Sequence, residues 1–210
     1  GNTEETLEAF EAARKAGCRI VAVCTGGELA KRAEAAGIPV WTFDHAGQPR
    51  AAVGFSFGLL LSLLTRLGFV PAQEKTIQNA VSAMQAQQEK IETLQPLSDN
   101  LAKEMALRFS SKFPVVFGAD LLAPVARRWK GQINELAKHW AQAEELPEAD
   151  HNLLAGCEYP HQLGHETRII FLSAGSEHKR NQLRTRLTCQ LMKEAIRYKD
   201  LLLGAKDRTT

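Results

Sequence analysis

Cysteine is sparse in this 210-residue chain, and Cys18, Cys24, Cys157 and Cys189 form no CxxC pair. That spacing suits neither a zinc site nor a disulfide framework. A reducing, cytoplasmic setting is the simplest account. An excess of one charge is missing too: 26 basic against 24 acidic residues leave a formal net charge of +2. Such a balance by itself points to no nucleic-acid partner and no membrane partner. The basic clusters at Arg127, Arg128 and Lys130 and at His178, Lys179 and Arg180 are short, and solvated helix faces account for both. The apolar run 51–70 has about the length of a membrane span. It is broken by Gly54, Ser56, Gly58, Ser62, Thr65 and Arg66. The expectation is therefore a buried helix of an α/β domain. The opening residues GNTEET are polar and acidic, unlike a secretory signal.

What is present is an ordinary globular composition, 44% hydrophobic and 24% charged, with enough chain for one large domain or two small ones. The first third alternates helix and strand. Residues 3–16 have helical spacing, 19–24 (RIVAVC) read as a short buried strand, 28–36 as a helix and 39–43 (PVWTF) as a second strand. Residues 71–112 are rich in Gln, Glu, Lys and Ala and read as a helical connector, broken near Pro96 and capped by Ser98 or Asp99. The alternation returns with a strand at 114–118 (PVVFG), a long helix from Leu121 to about Glu145, and a strand at 168–172 (RIIFL). A helix over 177–195 and a last strand over 196–203 complete the pattern. The expected fold class is α/β, with two doubly wound parallel-sheet domains (three-layer α/β/α) at 1–70 and 113–210, joined by the helices of 71–112. Both ends read as interrupted, so each domain is expected to lack an outer part.

Four clusters can carry chemistry. Gly1, Asn2 and Thr3 lead into a helix whose free backbone N–H groups and dipole suit a phosphate. The same residues also fit a plain helix cap, which local chemistry alone favours. Cys24-Thr25-Gly26-Gly27 follows a strand; its glycines permit a ligand's close approach or merely a tight turn. Arg50, at the first turn of an apolar helix, works against the helix dipole and asks for an anionic neighbour. Glu135 is placed near the middle of a long helix beside Ile133 and Leu136, where half-burial would raise its pKa toward that of a general base. Pairing with Lys138 or Arg128 on a solvated face is the alternative. His151, after Asp150 and just past the helix-ending Pro147, can partner Glu135 in moving protons or simply end a helix.

The segments GNTEET, CTGGELA, QPRAAVGFSFG, PVVFGADLLAPVARRWKGQINELAK, PEADHN and SEHKR occur in an order that resembles the bifunctional phosphoglucose/phosphomannose isomerases, which are tandem sugar-isomerase (SIS) domain proteins. The resemblance implies an aldose–ketose isomerase that interconverts glucose 6-phosphate and mannose 6-phosphate with fructose 6-phosphate through an enediol. It implies that Thr3, with Asn2, Gly1 and the loop amides, holds the sugar phosphate. Glu135 would move the proton between C1 and C2, and Arg50 would steady the enediolate. His151 would assist ring opening in the site of the neighbouring subunit of a homodimer. No cofactor and no metal is implied. The chain departs from the family at Leu153, where glutamate is usual, and at Leu136, where asparagine is usual. It also lacks the family's serine-containing lead-in and a C-terminal helix with a functional lysine; Lys206 does not sit in that motif. The rival expectation is an SIS-type sugar-phosphate sensor that binds without catalysis.

Overall fold

The structure, a computed structural model, describes residues 1–196 and 201–205. It is a mixed α/β fold with parallel sheets, and it divides into two compact units, Gly1–Gln73 and Glu74–Thr210.

In the first unit, α1 (Glu4–Lys15), β1 (Ala22–Cys24), α2 (Gly27–Ala35) and β2 (Val40–Thr42) precede α3 (Val53–Arg66). β1 and β2 pair in parallel, with Val23 opposite Trp41. Phe10 of α1 and Leu29, Ala30 and Ala33 of α2 bury against Ala22 and Cys24. The apolar faces of two amphipathic helices thus close over a short strand pair, where the large side chains Phe10 and Leu29 contribute roughly 1.5–3 kcal/mol each. The helix α3 corrects the expectation of a buried helix. It begins at Val53 and buries no residue: Val53, Phe55, Phe57 and Leu60 are all exposed. Phe55 near its start stacks on Phe43 at 4.8 Å and lies beside His45, and Arg66 at its end sits over Trp41. Among the described residues, no helix is long and apolar enough to cross a membrane.

The second unit begins with α4 (Glu74–Ile91) and α5 (Leu101–Phe109). The cap of α5 is Asn100, not Ser98 or Asp99. Its side chain, 1% exposed, accepts from the Lys103 amide at 3.0 Å and donates to the Glu92 carbonyl at 3.0 Å. There follow β3 (Phe113–Ala119), α6 (Ala123–Leu136), β4 (Gln142–Leu146), α7 (Leu153–Gly156), α8 (Leu163–Glu166), β5 (Thr167–Ala174), α9 (Lys179–Ile196) and β6 (Leu201–Ala205). The strands form one parallel sheet in the order β4-β3-β5-β6. The side-chain period of two sorts its residues between layers. Val115, Phe117, Ile169 and Phe171 face α9, while Val116, Ile170 and Leu172 face α5 and α6. Both faces are covered, so β3 and β5 are apolar almost throughout. At the end of β3, a Cβ on Gly118 would run into the Leu122 carbonyl, so only glycine lets the following turn fold back this closely.

Two expectations fail here. The helix expected to reach Glu145 ends at Leu136, because Lys138 turns into the left-handed region (φ 55°) while the Ala137 and His139 amides close onto the Ile133 carbonyl. Gln142–Leu146, written in good helix formers, instead becomes the edge strand β4, paired to β3 with Phe117 opposite Glu144. Sheet pairing overrides propensity at that edge. The last strand is also displaced: Ile196 still belongs to α9 and the strand spans 201–205. Residues 197–200 of the expected strand, and Lys206, lie outside the described residues.

Candidate active site

In the first unit, two loops read separately in the sequence meet. The Asn2 side-chain oxygen accepts from the Glu28 amide at 2.9 Å, and the Gly1 carbonyl accepts from the Leu29 amide at 2.9 Å. The first amides of α2 are therefore taken by the chain's own residues. Gly26 and Gly27 have φ of 125° and 81°, and a Cβ on Gly27 would stand 2.5 Å from the Asn2 side-chain oxygen. Close backbone approach does explain these glycines, but what approaches is the segment 1–2. The signal missed in the sequence is this pairing, 26 residues apart, which no local pattern records.

Thr3 takes the N-cap position of α1 without a side-chain cap hydrogen bond. Its carbonyl receives the Thr6 and Leu7 amides at 3.1 Å each. The hydroxyl of Thr3 is thus not spent on capping, and it stands exposed beside the amino end of a twelve-residue helix. A helix start of this kind attracts anions through its free N–H groups and dipole.

Arg50 does not stand in the first turn of α3. It lies in a separate 3-10 turn, Pro49–Ala51, with Ala52 between that turn and the helix. The turn is braced by His45, whose Nε2 lies 2.9 Å from the Gln48 carbonyl.

Glu135 also differs from its expected place. It sits one residue from the end of α6, it is exposed, and the Lys138 ammonium donates to its backbone carbonyl at 2.5 Å. α6 runs back along the sheet from the carboxyl end of β3, so its last turn lies toward the strands' amino ends. Ser111, Lys112, Lys138, His139 and Glu166 line a surface hollow at that end, with Lys112 and Glu166 paired at 3.4 Å.

His151 follows a strand, not a helix: Pro147 closes β4 in a cis peptide, and a 3-10 turn, Glu148–Asp150, leads to His151. The His151 amide donates to the Glu148 carbonyl at 2.9 Å, and the side chain is exposed. The structure does not bring Glu135 and His151 together. Glu135 rides on the helix covering one face of the sheet, while Ala149, two residues before His151, is buried in the core of the other face. The five residues of β4 add a separation of about 16 Å along the strand.

Two shifted titrations lie near the His151 turn. Burial, and then Glu148, push the Glu144 carboxyl up, and burial, and then Glu144, push the Cys157 thiol up. Among the described residues there is no group of three or more potential metal ligands. An apolar cavity of about 390 Å³ between α5 and α6, bounded by Met105, Phe109, Trp129 and Ile133, contains none of the six candidate residues.

Residues 98–208 match the family model described as the bacterial phospho-glucose isomerase C-terminal SIS domain. The bifunctional phosphoglucose/phosphomannose isomerase of Caldicellulosiruptor bescii is 36% identical over 93% of this chain and 58% of its own. The protein of that name from Aquifex aeolicus is 31% identical over 92% of this chain and 56% of its own. The chain thus spans less than three fifths of the length of these relatives. Among solved structures, a putative phosphosugar isomerase from Clostridium difficile superposes with a TM-score of 0.62 at 15% identity. That alignment covers all of this chain and 61% of the other, and it shows a shared fold.

Proposed function

The chain belongs to the bacterial phospho-glucose isomerase C-terminal SIS-domain family, and from that premise we propose that it works in an aldose–ketose isomerase acting on glucose 6-phosphate and mannose 6-phosphate. The observation that carries the reading is that the family match spans both Glu135 and His151, and that both side chains are exposed.

In this reading Thr3 and the amino end of α1 hold the phosphate, with Gly1 and Asn2 shaping the loop. Glu135 carries a proton between C1 and C2, and the proton leaves an enediolate whose negative charge Arg50 offsets. His151 assists ring opening. Because one sheet separates it from Glu135, the working unit is a homodimer in which His151 enters the site of the neighbouring copy. The second unit supplies the SIS-type domain; the helices of 74–112, expected to connect two domains, belong to that unit, where Met105 of α5 packs on the sheet. The first unit, Gly1–Gln73, is read as part of a further SIS-type domain. The setting is cytoplasmic, with no nucleic-acid or membrane partner and no cofactor.

A coupled assay of fructose 6-phosphate conversion tests the chemistry. Glu135→Gln is expected to abolish turnover while sparing sugar-phosphate binding; full activity in that variant would remove Glu135 as the base. Mixing inactive Glu135→Gln with inactive His151→Asn tests the assembly. A dimer that shares residues regenerates one intact site per mixed pair, so random exchange restores about a quarter of wild-type activity, an expectation of two-fold closure. No recovery after subunit exchange would put both residues in one protomer's site.

A further inference from the structure

We propose that Thr188 is a positioning residue for His151, acting through Asp150; this rests on the reading of His151 as a catalytic group. The Thr188 hydroxyl donates to Asp150 Oδ1 at 2.7 Å, across 38 residues of sequence. Thr188 is 3% exposed, in mid-α9. Its neighbours on that helix, Cys189 and Met192, share a core with Leu146 and Ala149 of the His151 turn. The turn is therefore pinned three times before it reaches His151: by Leu146, by Ala149, and by the polar bond at Asp150.

The apolar contacts fix how deep the turn sits, since burial has no directional preference. The hydrogen bond fixes how it is rotated, since donor and acceptor must align within a narrow angle. Asp150 is the residue immediately before His151, and the His151 amide already closes the 3-10 turn onto Glu148. Rotation of the Asp150 peptide consequently swings the imidazole. A hydroxyl bonded to a carboxylate is among the stronger single contacts available for such a task. Misplacing a catalytic group by about 1 Å reduces rate by up to about a hundredfold.

The test combines kinetics with the ring carbon-bound proton signals of His151, identified by their loss in His151→Asn. Thr188→Val keeps the shape of the buried side chain and removes the donor. It is expected to shift and broaden the His151 signals and to lower kcat about tenfold or more at unchanged KM. Thr188→Ser, which keeps the hydroxyl, is expected to restore both. Should Thr188→Val fail to fold, Asp150→Ala removes the same bond from the partly exposed side, with the same signature expected. Wild-type signals and wild-type kcat in folded Thr188→Val would overturn the proposal, as would a loss that Thr188→Ser does not repair. Unchanged kcat in His151→Asn would instead sink the reading of His151 on which the proposal stands, and leave the Thr188 bond a structural tie.

Discussion

The β3–β5 pair of the second unit and the helix α3 of the first are both strongly apolar in sequence, yet they end in opposite environments. Phe117 and Phe171 stack at 4.7 Å and are 1% exposed each, whereas Phe57 of α3 is 67% exposed. The difference lies in what surrounds them. The strands are covered on both faces by helices of their own unit, while the first unit's two-stranded sheet is closed by α1 and α2, and α3 is only partly covered, along its carboxyl half. Apolar composition thus tells what a segment would bury if it had a partner, and the number of neighbouring layers tells whether it does.

That contrast is open to attack from both sides, and the largest effect is expected in the sheet. Phe171→Ala should lower the stability of the second unit by about 3–5 kcal/mol, through lost burial and the cavity left behind. Phe57→Ser should change the stability of the first unit by less than about 0.5 kcal/mol. Urea titrations of the two variants, followed by circular dichroism, read the gap directly, and equal losses would show that α3 is buried in solution. Next in size is Gly27→Ala. A side chain there meets Asn2 and needs a left-handed backbone, which costs about 1–2 kcal/mol before the clash is added. Differential scanning calorimetry should show a transition moved to lower temperature, and an unmoved transition would mean that the segment 1–2 does not close on α2. In the second unit, Asn100→Ala removes both a cap and a buried partner of the Glu92 carbonyl. A loss of about 1–2 kcal/mol is expected, read as faster amide exchange at the start of α5.

The smallest effect is the most specific. Burial raises the Glu144 carboxyl, with Glu148 adding to it. The native state therefore holds its proton more tightly than the unfolded chain does. Stability then falls as pH rises from the unfolded value through the raised native one, and the penalty is complete above it. Glu144→Gln should melt slightly higher than wild type at pH 7, on the order of 1–2 °C. The advantage should vanish below the ordinary carboxylate range. An advantage that persists at acid pH would mean that shape, not charge, is responsible.

How much of this was legible in the sequence follows the same division. PVVFG and RIIFL announced buried strands because two covered faces leave no polar positions to mislead the reading. QAEEL did not announce β4, since an edge strand with one neighbour tolerates glutamates and its residues favour helix when read alone. The end of α6 was hidden for a related reason: the left-handed residue that stops it is Lys138, where glycine or asparagine would have marked the boundary. The residue types of the candidate site were visible, as were Asn2 and Thr3 at a helix start. Their partners were not, because Asn2 meets Glu28 and Asp150 meets Thr188 only once the chain has folded.

Lys138 also bears on how this region can change over generations. Glycine would relax the backbone at that position, yet it would release the ammonium that clasps the Glu135 carbonyl. Asparagine would tolerate the turn but falls short of that oxygen. Drift at position 138 is therefore asymmetric: the substitution that local strain rewards is also the one that removes a tie from the last turn of α6.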